Sequence, residues 1–481
     1  MTKLAAAGRN FLALGAGNYG AMGVGLAVNV LLTRRLGTQG YGYLALLLMV
    51  SQVALQLTVQ WSNTGFIRFG AREFAEKRTV SDALWARLAI VLPALALAIV
   101  LLTAARGPLA SYLQVPSAAI WIVAAHLMAI GALSVVGAVF QAIGQMARYG
   151  VCLLLDKSVM LALLVALPPA WSSSPVVILG CYTASSLAVA LWGIAVTRRA
   201  IRFALPAAAE YRRMALFSVP VLLSSWTGLF GANWFDLLIL KAYVPMSSIG
   251  LYSLSTQLAG VVQQITVIFA TLVLPPLSVM VAEGQDARIR TFVERMLPYW
   301  LLGTSVLFSL VVFGARIAIP LAFGPSFADA APIVALLMVA TSGSALFHSC
   351  APLVAAYGSM WVVSAASIVS AVANVVLDLV LIPRFGVLGS AAATVLAYGI
   401  SATVVLAFVH RKFGGKVLRL AWLGAPVLVA CICFLMLDGG WFYLVAPIAA
   451  SATALGLAAS FRLFHREDAV FLNNLRPLIS G

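Results

Sequence analysis

Apolar runs of about 20 residues or more recur along the whole chain, and each is long enough to cross a hydrocarbon core roughly 30 Å thick as a helix. Short polar breaks separate them. The pattern predicts an all-α, polytopic membrane protein with about fourteen transmembrane helices. The spans fall at 11–33, 41–66, 84–104, 117–140, 150–169, 175–197, 215–243, 249–280, 296–314, 331–357, 360–382, 386–409, 420–437 and 441–461. A shift of 208 residues overlays spans 1 and 2 on spans 7 and 8. Gly23 then meets Gly231, Gly42 meets Gly250, and Gln56 and Thr58 meet Gln264 and Thr266. Such an internal repeat predicts two six-helix lobes related by a pseudo-twofold axis along the membrane normal, with substrate bound between them and rocking giving alternating access. The expected organisation is a first lobe at 1–197, a basic linker at 198–214, a second lobe at 215–410, and two additional helices with a cytoplasmic tail at 411–481.

Composition removes the soluble alternatives. Hydrophobic residues make up 63% of the chain and charged residues 9%, against roughly 25% charged in soluble domains. Mean hydropathy is +1.04. The first apolar run, from Phe11 to Leu32, is too long for a cleaved signal peptide and is expected to be the first membrane helix. The net charge of +16 does not point to nucleic acid, because the basic residues lie between spans, where orientation signals belong. With the N-terminus in the cytoplasm, cytoplasmic segments hold 22 Lys and Arg and the opposite side 6, which predicts an inner-membrane protein with both ends inside. The five cysteines all fall inside apolar spans and are expected to be small core residues. No loop is long, and no nucleophile–base pair, metal cluster or phosphate-cradling glycine loop stands out, so neither an enzyme nor a cofactor is expected.

Polar side chains inside the spans carry the remaining information, since ionisable groups at membrane depth cost roughly 2.5–3.5 kcal/mol each on insertion scales. In span 2, Gln52, Gln56 and Gln60 recur at i, i+4, i+8 with Asn63 next, a polar stripe on one helix face. It suits either a water-filled cavity that meets sugar hydroxyls or hydrogen bonding between helices. Span 5 carries Asp156 and Lys157, which point about 100° apart and need not pair. Lys157 either snorkels to the headgroups or faces the cavity and attracts a phosphate; Asp156 bonds a neighbouring helix or serves a coupling ion. Asn233 and Asp236 share a face of span 7, as a helix contact, a sugar contact or a coupling-cation site. Asn374 and Asp378 share a face of span 11, where Asp378 is expected to pair with Arg384 or to serve a coupling ion. His126 and His348 each lie alone in a span and are expected to be hydrogen-bonded core residues. Arg68, at the cytoplasmic end of span 2, is either a bidentate phosphate contact or an orientation signal.

Several helix junctions bear a family resemblance. The segment Arg34-Arg35-Leu36-Gly37-Thr38-Gln39-Gly40-Tyr41-Gly42 resembles the turn between the first two helices of bacterial polysaccharide flippases, the oligosaccharidyl-lipid branch of the multidrug/oligosaccharidyl-lipid/polysaccharide exporter superfamily. Ser248-Ile249-Gly250-Leu251-Tyr252 is similar to that family's second-half turn, with Pro275-Pro276 expected to end the following helix. The stretch from Ile382 to Ala392 resembles its link between helices 11 and 12, and Phe323-Gly324 with Phe327 and Ala330 resembles its approach to helix 10. The family often has Asn where this chain has Asp378.

The resemblance implies an undecaprenyl-diphosphate-linked oligosaccharide as substrate, moved outward for capsule, O-antigen or exopolysaccharide assembly. The expected partners are that lipid-linked substrate, membrane lipid, and a polysaccharide polymerase with chain-length machinery. A cation-coupled drug or small-lipid exporter of the same superfamily is the alternative; that branch usually relies on buried carboxylates in the N-terminal half, where only Asp156 lies within a span. A lipid II flippase fits less well, because span 1 holds no ionisable residue, and short outer loops disfavour a glycan polymerase or ligase.

Overall fold

A computed structural model describes residues 3–202, 211–218, 234–437, 439–461 and 463. Asn233, residues 203–210 of the expected linker, Asp438 and the tail from 464 lie outside the described residues. Helices make up nearly all of the described chain, and no strand occurs among the described residues. Among the described residues, eleven helical stretches are long and apolar enough to cross a membrane. A bilayer demands this, because backbone N–H and C=O groups find no water there and must pair within the segment.

The chain divides into two compact units, Met1–Gly250 with Ala322–Ser326, and Leu251–Leu321 with Phe327–Gly481. In the first, the main helices are α1 (Lys3–Thr58), α2 (Asn63–Lys77), α3 (Ser81–Ala104), α4 (Arg106–Leu113), α5 (Ala118–Ala142), α6 (Met146–Ala166), α7 (Pro175–Thr197) and α8 (Trp234–Tyr243). α1 packs on α5, α6 and α7, and α5 packs on α7. Small residues allow the close approaches: a Cβ on Gly17 would lie 2.5 Å from Gly150, and one on Gly193 would lie 2.2 Å from the Val136 side chain.

At two junctions a single glycine turns the chain between consecutive predicted spans. The stretch labelled α1 is two helical arms that meet at Gly37, whose φ of 63° and ψ of −176° are not helical and suit a residue without a Cβ. Spans 11 and 12 are likewise two helical arms of the stretch Met360–Phe413, separated at Gly386, whose φ of 57° and ψ of −134° are not helical. The junction residues hold the first bend in place. Arg34 Nε donates to the Ala322 carbonyl at 2.9 Å, Arg35 Nη1 donates to the Leu164 carbonyl, and Tyr41 Oη donates to Asn29 Oδ1 at 3.2 Å. Gly42 and Gly250 are an observed pair as well as a repeat match. A Cβ on Gly42 would sit 2.2 Å from the Met246 carbonyl oxygen, and one on Gly250 would sit 2.0 Å from that of Thr38. Thr38 and Met246 are themselves related by the 208-residue shift, so the two turns cross with their contacts exchanged about a local twofold.

The second unit holds α9 (Met246–Ala282), most of α10 (Leu297–Phe323), α11 (Ala330–Ala356), α12 (Met360–Phe413), α13 (Ala425–Met436) and α14 (Gly440–Ser460). α9 begins within the last residues of the first unit. It does not end at Pro275-Pro276 as expected: it runs on to Ala282. Membrane helices tolerate proline because nearby groups re-satisfy the freed carbonyls. α12 folds back on itself, with Ser370 Oγ donating to the Ala397 carbonyl at 2.7 Å across the bend. Gly389 has no room for a side chain, since a Cβ would lie 2.4 Å from the Leu381 carbonyl oxygen.

Candidate functional site

The polar stripe of span 2 is not one helix face. α1 ends at Thr58, a 3-10 turn covers Gln60–Ser62, and α2 starts at Asn63. A 3-10 turn in mid-helix marks a hinge or a strained sequence. Here its cause is a residue that sequence reasoning left unassigned. Arg87 of α3 is fully buried. Its Nε donates to Ser62 Oγ at 3.0 Å and its Nη2 donates to Asn63 Oδ1. The guanidinium carbon lies 5.2 Å from the centroid of the Phe66 ring. Asn63 Nδ2 in turn donates to Gln60 Oε1 and to Ser134 Oγ of α5. No carboxylate bonds the guanidinium, and Nη1 has no partner among the described residues. The sequence signal was an arginine one turn inside an apolar span, which the count of basic residues placed on neither side of the membrane.

The stripe therefore separates into two parts. Gln60 and Asn63 are held in the network of Arg87, whereas Gln52 and Gln56 are half-buried and form no side-chain hydrogen bond among the described residues. Among the described residues, the second pair alone leaves its amide groups without a hydrogen bond.

A second polar cluster lies where α5, α6 and α7 meet. Adjacent helix positions need not pair, yet Lys157 Nζ reaches Asp156 Oδ2 at 3.0 Å, because the lysine stem is long enough to curl back. The other carboxylate oxygen, Oδ1, accepts from Ser186 Oγ at 2.9 Å, while the neighbouring Ser185 Oγ, 3.1 Å from Oδ1, makes its shorter bond at 2.5 Å to the Asp156 backbone carbonyl; both serines are on α7. The Asp156 side chain is 11% exposed and that of Lys157 38%. Lys157 Nζ also stands 5.9 Å from the Tyr182 ring centroid, and the buried His126 packs edge-on to the same ring. His126 Nδ1 has no hydrogen-bond partner among the described residues, contrary to the expected bonded core histidine. His348 meets that expectation: Nδ1 lies 3.1 Å from Ser344 Oγ, which itself accepts from Gln263.

The remaining candidates are dispersed. Arg68 is exposed on α2, which extends eleven residues beyond the predicted end of span 2, and its guanidinium lies 5.0 Å from the Phe217 ring centroid. Asp236 is fully buried on α8 in the first unit. In the second unit Asn374 and Asp378 are both buried on α12. Arg384 is exposed, so the expected ion pair with Asp378 is not made; the bend at Gly386 follows directly and the arginine stays outside the core. Among the described residues no group of three or more His, Cys, Asp or Glu is arranged to hold a metal.

Comparison with known proteins agrees with this architecture. The model of a family described as polysaccharide biosynthesis protein matches residues 7–282. The probable low-salt glycan biosynthesis flippase Agl15 of Haloferax volcanii is 22% identical over 231 residues, 46% of this chain and 47% of Agl15. The chain thus spans about half the length of the curated relative it matches. Among solved structures, lipid II flippase MurJ in an inward closed conformation is similar with a TM-score of 0.72 at 10% identity, covering 94% of this chain and 98% of MurJ. A mutant of the Vibrio cholerae MATE transporter VcmN is similar with a TM-score of 0.53 at 14% identity, covering 84% and 96%. At such identities the likeness is one of fold.

Proposed function

The chain belongs to the polysaccharide biosynthesis protein family, as its helix-junction motifs implied, and from that premise we propose that it is a flippase rather than an enzyme. Its cargo is an undecaprenyl-diphosphate-linked oligosaccharide. It carries this lipid from the cytoplasmic to the outer leaflet of the inner membrane, supplying capsule, O-antigen or exopolysaccharide synthesis. Transport proceeds by alternating access between two six-helix lobes, with both termini in the cytoplasm and the polymerase and chain-length machinery downstream.

The observation that carries the reading is Lys157, a cation left 38% exposed on a helix long and apolar enough to span the membrane. A charged group at that depth is costly and faces a partner or a wet cavity. A diphosphate headgroup is an anion that must cross the same low-dielectric layer, and an ammonium in its path lowers that barrier. Gln52 and Gln56 offer amide donors and acceptors suited to sugar hydroxyls. Arg68, exposed on the extension of α2, meets the phosphate first. Asp236, Asn374 and Asp378 are the candidates for a coupling cation. A drug exporter driven through a carboxylate of the N-terminal half is less well supported, because Asp156 is already neutralised by Lys157.

Depletion of the protein in its polymer-producing host, followed by mass spectrometry of lipid-linked glycans and a leaflet-accessibility probe, tests the proposal. Complete repeat units on undecaprenyl diphosphate should accumulate in the cytoplasmic leaflet. Incomplete units, or complete units already in the outer leaflet, would overturn it.

A further inference from the structure

The Asp156–Lys157 pair has an asymmetry that a plain helix–helix contact does not need. Asp156 is fixed from both sides. Oδ1 takes the Ser186 hydroxyl from α7, the Ser185 hydroxyl beside it bonds the Asp156 backbone carbonyl, and Oδ2 takes the ammonium. Lys157 is held more loosely: among the described residues a single Nζ–Oδ2 hydrogen bond uses one of its three donors, the Tyr182 ring adds only a contact at 5.9 Å, and more than a third of its side chain is open. An ammonium on a four-carbon stem can leave such a contact without moving the backbone, while a carboxylate on a short stem, held by Ser186 on a helix whose Ser185 pins the Asp156 carbonyl, cannot follow it. A half-exposed pair of adjacent residues is also held weakly, since solvent screens it and ordering the stem costs entropy.

We infer that Asp156 is the resident anion of a lipid-diphosphate subsite, a positioning and specificity-determining residue that occupies Lys157 until a diphosphate displaces it. The inference rests on the flippase reading and deepens it. At rest the pair is neutral, which lowers the cost of holding a cation in the membrane. An incoming diphosphate competes with one carboxylate for the ammonium. A headgroup with less negative charge competes less well, so the pair sorts cargo by charge. When the headgroup leaves, the fixed carboxylate recaptures Lys157 and speeds release.

Binding of a fluorescent undecaprenyl diphosphate and of its monophosphate to the full-length protein in nanodiscs tests this, together with transport rates in proteoliposomes. Asp156→Asn keeps an oxygen for the serines but removes the competing charge. It should bind the diphosphate about three- to tenfold tighter, release it more slowly, and discriminate less against the monophosphate. Lys157→Ala should weaken diphosphate binding by a similar factor, and adding Asp156→Asn to it should change nothing further. Asp156→Glu, which restores the charge, should return affinity and rate toward wild type and guards against a folding defect in the amide variant. Unchanged or weaker diphosphate affinity in a folded Asp156→Asn protein would overturn the inference while leaving the flippase reading intact. Equal binding of the diphosphate and a neutral polyprenol by the wild-type protein would overturn both.

Discussion

Arg87 and Lys157 are both cations in the apolar helices of the first unit, and they are accommodated in opposite ways. Arg87 is sealed from solvent and, among the described residues, meets neutral oxygens and an aromatic face with no carboxylate bonded to it. Lys157 is part-open and has a carboxylate directly beside it. The planar guanidinium forms several directed bonds at once and so can fix a backbone, here the 3-10 turn between α1 and α2. The ammonium is a point charge on a flexible stem and fixes little. One cation is therefore spent on the shape of the protein, and the other remains available to a ligand. Sequence position alone does not separate them, since each lies within an apolar span a few turns from a helix end.

The strongest break in that comparison is expected from Arg87→Ala. It removes a large buried side chain and strands Ser62 Oγ and Asn63 Oδ1 as acceptors, together worth about 3 kcal/mol or more. The detergent-solubilised variant should melt well below wild type, and Arg87→Lys should recover little, because one ammonium cannot replace the fork. A wild-type melting temperature in Arg87→Ala would show that the turn holds without it. Next in size comes Lys157→Gln, which leaves Asp156 a neutral donor. Its stability cost should stay within about 1 kcal/mol, while transport of a lipid-linked oligosaccharide in proteoliposomes falls clearly. A stability loss as large as that of Arg87→Ala would place both cations in the structural class.

The architecture was legible because the bilayer imposes one rule on every span. Apolar length located the helices, and the junction glycines marked the turns; Gly37 and Gly386 prove to have positive φ, and Gly42 and Gly389 have no room for a Cβ. The polar residues were less legible, because periodicity assumes an unbroken helix. Gln60 and Asn63 continue the stripe of Gln52 and Gln56 on paper, but the 3-10 turn at Gln60–Ser62 takes them out of register and into the Arg87 network. Likewise the 100° between Asp156 and Lys157 describes Cα–Cβ directions, not where a four-carbon side chain ends. Pro275-Pro276 misled for a related reason: a helix-breaking rule drawn from water weakens where neighbouring groups supply the missing bonds.

The smallest effects separate the two halves of the former stripe. Gln60→Ala removes one acceptor from Asn63 Nδ2, which keeps Ser134 Oγ at 3.3 Å, so about 0.5–1.5 kcal/mol of stability should be lost with only a modest change in transport. The double variant Gln52→Ala/Gln56→Ala touches no hydrogen bond among the described residues, and its stability should stay within about 0.5 kcal/mol of wild type. If these amides contact sugar hydroxyls, its transport should drop more for a long oligosaccharide than for undecaprenyl diphosphate alone, because only the former presents hydroxyls to lose. Melting curves and transport rates measured side by side decide the matter. A double variant that melts low but transports both lipids at the wild-type rate would move Gln52 and Gln56 into the packing class with Gln60, leaving Lys157 as the cation that distinguishes a ligand path from a scaffold in this unit.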